Sequence, residues 1–100
     1  MKPVNSNEYL EMKPTEKEAY FYTVIGIEQK ELARMMAEFE WETGKKPNAL
    51  FLSYKLLAKI PGRIKKCMDM TVIPMDSEED QFSVSEVDPW DPRWEHLFFS

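Results

Sequence analysis

The sequence predicts an α/β domain: a small mixed four-stranded sheet in the order β-α-β-α-β-β, helices packed on it, and a short C-terminal helical turn. An α+β segregation of the same elements is the alternative. Three observations carry the prediction. Residues 28–43 repeat apolar side chains at helical spacing. Four short runs, at 19–25, 48–52, 70–75 and 81–87, read as strands. Helical patterns separate the first three runs, which implies right-handed parallel crossovers, whereas the acidic turn at 76–80 implies a closing antiparallel hairpin. The 100 residues and the apolar fraction of 43% suit one domain. Its expected limits are 15–87, with an arm at 1–14 and a tail at 88–100.

Residues 1–14 lack periodicity and are interrupted by Pro3 and Pro14. Thr15 to Glu18 has the form of a helical capping box, yet the segment that follows, Ala19 to Ile25, is aromatic and β-branched. These two signals conflict, and the strand is the expected outcome, with Gly26 as a turn. In the helix over 28–43, Leu32, Met35, Met36, Phe39 and Thr43 share one face, and Gly44 and Pro47 end it. Trp41 falls nearly opposite that face, where a large ring calls for a cover.

Asn48 to Leu52 is a short apolar run bounded by turn residues, as in a buried strand. Ser53 is placed to cap a brief helix over 54–60, closed by Pro61 and Gly62. Pro74 marks a sheet edge or the end of the strand at 70–75. In Gln81 to Val87, Phe82 and Val84 share one face. The tail repeats Asp-Pro twice, at Asp88-Pro89-Trp90 and Asp91-Pro92-Arg93-Trp94, and the second copy reads as a helix opening with proline at N1.

The net charge of −5 conceals a segregation of sign. Residues 45–66 hold seven basic residues and no acid, whereas 76–100 hold eight acids against Arg93 alone. Overall acidity weighs against a general nucleic-acid binder, because phosphate contact dominates such binding. Chemistry is sparse. Cys67 is the only cysteine and His96 the only histidine, so neither a disulfide framework nor a multi-histidine metal site is available, and no cofactor is expected. The acids at 76–80 resemble a calcium loop only superficially. Gln81 stands where its glycine would be required and Val87 where its bidentate glutamate would be. No phosphate-cradling glycine loop is present. The expectation is a protein that is not an enzyme.

Two surfaces remain as candidates. Trp41 with the tail residues Trp90, Trp94, Leu97 and Phe98 supplies the aromatics in which protein interfaces are rich. The expected partner is another protein, such as a nucleic-acid-binding one, or a second copy of the chain, and the module would act as a regulator or inhibitor. The alternative is phosphate or nucleic-acid contact through Lys55, Lys59, Arg63, Lys65 and Lys66. The polar opening does not read as a signal peptide, no apolar run is long enough for a membrane span, and the lone cysteine suits a reducing compartment, so a cytoplasmic location is expected.

Overall fold

The computed structural model describes residues 5–60 and 64–99. Three helices come first: α1 (Ser6–Glu11), α2 (Pro14–Ile25) and α3 (Gln29–Thr43). They are followed by β1 (Ala49–Ser53), α4 (Tyr54–Ala58), β2 (Lys66–Cys67), β3 (Met70–Met75), β4 (Phe82–Ser85) and α5 (Glu95–Phe98). The strands form one mixed sheet in the order β2-β3-β1-β4, so the mixed four-stranded sheet with helices packed on it is what the chain adopts. β1 runs parallel to β3 and antiparallel to β4, with Leu50 level with both Val72 and Val84. The connection from β1 through α4 and β2 to the parallel strand β3 is the sheet's parallel crossover among the described residues.

The run 19–25 forms a helix, not the expected strand, and the sheet's fourth member is the two-residue β2 instead. The ends of the segment decide this. Pro14 occupies the first helical turn, where a missing N–H costs nothing, and the Glu16 carboxylate accepts from the Lys13 N–H at 3.4 Å. Gly26 closes the helix at φ 75, a left-handed conformation that glycine adopts without strain. Between these stops, Tyr20, Phe21 and Ile25 turn one face into the core, and the Thr23 hydroxyl donates back to the Ala19 carbonyl at 3.0 Å. Burial at helical period therefore overrides the strand propensity of the same residues. Within the stretch 1–14, α1 brings Tyr9 into the core, its ring edge-on to Tyr20 at 6.2 Å.

The pleat divides the sheet into two faces. Leu50, Leu52, Met70, Val72, Phe82 and Val84 lie on the first, which packs against Tyr20, Phe21 and Ile25 of α2, Leu32 of α3 and Leu56 of α4. Ala49, Phe51, Thr71 and Ile73 lie on the second. Ala49, Thr71 and Ile73 are buried, and Ala49 and Ile73 fall outside the cluster that the helices build on the first face. Their cover is the C-terminal tail.

Two polar side chains fasten the strands. Ser53, fully buried, accepts from the Leu56 N–H that opens α4 and from the Gln81 N–H that leads into β4. Asn48 grips the other end of β4: its side chain accepts from the Val87 N–H and donates to the Val87 carbonyl, both at 2.9 Å.

Candidate interaction surface

The Asp-Pro duplication in the tail becomes a structural one. The Asp88 carboxylate accepts from the Trp90 N–H at 3.0 Å, and the Asp91 carboxylate accepts from the Arg93 N–H at 2.9 Å. Each aspartate thereby closes an Asx turn whose proline presets the following backbone angle. The second turn does not open a helix directly, as its Asp-Pro pair suggests; α5 begins only at Glu95, after the turn at 92–94. Arg93 then folds back on its own turn, donating to both oxygens of Asp91 at 3.1 and 2.9 Å. Hydrogen bonds from Arg93 hold the Asp91 carboxyl below the usual range and keep it ionised.

These turns bring the tail rings to different fates. Trp94 sits edge-on to Phe51 at 6.0 Å, donates its indole N–H to the Asp88 carbonyl at 2.8 Å and carries the Arg93 guanidinium 4.2 Å from its ring centre. Leu97 and Phe98 are half-buried, on a helix that lies against β3. Trp90 instead stacks on Phe99 at 4.5 Å, and both remain open to water, at 66% and 55% exposure. The tail is thus half cover and half display.

Among the described residues the ring contacts of the tail do not extend to Trp41. Trp41 is 89% exposed on α3, which packs on the first sheet face, whereas the tail covers the second. Among the described residues no ring stacks on Trp41. Phe99, the partner of Trp90, belongs to the surface although ring count alone did not single it out; only the turns reveal which tail rings face water.

The basic candidates are also dispersed. Lys59 is paired with Asp80 at 2.6 Å, which joins the basic stretch to the acidic turn. Lys55 is exposed on α4, and Arg63 lies outside the described residues. Lys65 and Lys66 line an open groove of about 390 Å³ together with Tyr9, Phe21 and a residue absent from the sequence-level set, Lys17. Lys17 comes from α2, its ammonium 5.1 Å over the Tyr9 ring, so spacing along the chain gave no sign of it. The Glu18 carboxylate on the same rim offsets part of the positive charge.

Cys67, beside this groove, meets the Tyr22 hydroxyl at 3.5 Å. Burial pushes the pKa of both groups up, and the Cys67–Tyr22 contact raises that of Tyr22 further. A thiol held protonated in this way is a packing group at neutral pH rather than a nucleophile. Among the described residues no three metal-ligating side chains gather, and no helix is long and apolar enough to cross a membrane.

The fold and surface define a small mixed α/β domain with an aromatic, acidic tail. No protein-family model matches the chain, and neither a curated protein nor a solved structure matches it.

Proposed function

We propose that this chain is a non-enzymatic protein-binding module whose contact surface is the Trp90–Phe99 stack and the acids around it. The observation that carries this reading is the display of two stacked rings on a tail whose other rings are docked. Stacking limits the freedom of both side chains before any partner arrives, so little ordering entropy opposes contact. Asp88 and Glu95 are exposed nearby in sequence and favour a partner with an apolar pocket and a basic rim. A nucleic-acid-binding protein presents such a rim; binding it would make the module a regulator or inhibitor. The basic stretch of a second copy is the other source of that chemistry.

The test is capture of partners from native cells by the wild type and by a Trp90→Ala/Phe99→Ala double variant. Removing a hot-spot pair costs about 2 kcal/mol or more, roughly a thirtyfold loss of affinity. Retention of the same partner at wild-type affinity by the double variant sinks the reading. Circular dichroism should be unchanged, because neither ring is buried.

A second reading, phosphate or nucleic-acid contact, is favoured by the convergence of Lys17, Lys65 and Lys66 on one groove. It requires oligonucleotide binding that weakens steeply with salt. A flat titration at low ionic strength disposes of it.

A further inference from the structure

The two edges of the sheet are treated differently. On the β3 side, Thr71 donates to Asn48 across β1, whereas Val72 donates outward to the Lys65 carbonyl. Even-numbered residues of β3 therefore point their main chain away from β1, as alternation in a parallel strand requires. The outward positions are Met70 and Val72, which β2 and its approach occupy, and Pro74, which lies beyond them. Pro74 has no N–H, so the stretch of this edge that β2 leaves bare offers no donor there to an incoming strand.

The β4 edge has no such block. Ser53 and Gln81 form a bonded pair across β1 and β4, and alternation makes Phe51–Ser83 the next. Phe82 and Val84 consequently aim their N–H and C=O groups away from the sheet. Among the described residues none of these four groups has a hydrogen-bond partner, and β4 pairs with β1 alone. Strand ends carry the remaining information. Exposed Asp76, Glu78 and Glu79 precede β4, and exposed Glu86 and Asp88 follow it, while no lysine or arginine occurs from 76 to 92.

We infer that the β4 edge receives an extended basic segment of a partner protein as a fifth strand, its main chain bonding Phe82 and Val84 and its lysines or arginines meeting the acids at both ends. The inference rests on the protein-binding reading and adds the mode of contact. Strand addition supplies affinity through the main chain, and flanking charge supplies selectivity. Phe82 and Val84 are only half-buried, so apolar side chains at alternate positions of the incoming strand would complete the first sheet face at its margin. A second copy is the poorer occupant. Antiparallel pairing of β4 with itself would set the acids at 76–80 of one chain against Glu86 and Asp88 of the other.

The experiment is amide hydrogen exchange on the full chain, titrated with a capped peptide of alternating lysine and valine. Exchange of the Phe82 and Val84 amides should slow on binding, with the Ser83 amide unchanged because it already faces β1. Binding should fall with salt, and an alternating glutamate–valine peptide should not bind. Val84→Pro removes an N–H that has no partner in the free protein, so it should lower peptide affinity about tenfold or more, whereas Val84→Ala, which trims the same packing and keeps the N–H, should retain binding. Should that variant unfold, the exchange pattern of the wild type decides alone. Unprotected Phe82 and Val84 amides at saturating peptide overturn the inference. So does concentration-dependent protection without peptide, which would assign the edge to a second copy. Trp90→Ala should leave peptide binding intact, so loss of the edge and loss of the aromatic surface are read separately.

Discussion

Truncation after Val87 is expected to lower the thermal unfolding midpoint sharply, even though it removes a segment that looks like an appendage. The tail is the cover of the second sheet face. Without it Phe51 loses Trp94, and Ile73, buried in the full chain, is laid open together with Ala49 and Thr71. Half-burial of Trp94, Leu97 and Phe98 discounts the usual cost of removing large apolar side chains, leaving about 2–4 kcal/mol. For a chain of this size that is a fall of roughly 10–20 °C. Differential scanning calorimetry measures it, and a truncated chain that melts with the wild type would show that the second face needs no cover. Loss of partner binding on the same truncation would therefore not locate a contact surface. Point substitution at Trp90 and Phe99 does, because those rings leave the sheet untouched.

Two substitutions on α3 should differ by nearly the full range seen for single changes. Leu32 is 0% exposed and packs within the main core, so Leu32→Ala should cost about 3 kcal/mol in transfer and cavity terms. Trp41, nine positions along the same helix, is 89% exposed, and Trp41→Ala should change stability by about 0.5 kcal/mol or less. Urea unfolding with a common m-value gives both numbers. A large cost at Trp41 would mean that its ring is covered in solution. If Trp41→Ala is neutral for stability yet weakens partner capture, α3 contributes a second contact on the opposite face from the tail.

The contrast between these residues was legible in the chain, because period 3.6 places Leu32 and Trp41 on opposing sides whatever packs around them. So was the cap of α4: Ser53 both ends a strand and accepts from Leu56, an arrangement that depends on neighbours in sequence. The run 19–25 misleads for the converse reason. Its residues favour strands locally, and the helix is imposed by Pro14 and Gly26 at its ends together with a core assembled from distant β1 and β3. The strand β2 was illegible because two residues carry no periodicity; Lys66 and Cys67 are defined by pairing with Thr71 and Met70 across a tight turn. Met68 and Asp69 both take positive φ there, with no glycine to announce it. The tail composition showed that rings were abundant but not which of them would dock. That sorting comes from two Asx turns acting on the chain direction. Lys17 joined the groove only through tertiary proximity.

The closure of the second face by residues 88–99 also fixes an order of events during synthesis. β1 and β3 are translated well before Trp94, and domains made on the ribosome begin to organise from the N-terminal side. A growing chain can assemble the helices over paired β1 and β3 while Phe51 and Ile73 still lack their lid. The pairing of β1 with β4 and the arrival of Trp94 over Phe51 both span long stretches of sequence, which makes them the slow, late steps. The nascent domain therefore passes through an interval with an open apolar sheet surface, and the ring that ends this interval belongs to the same dozen residues that hold Trp90 and Phe99 out to solvent.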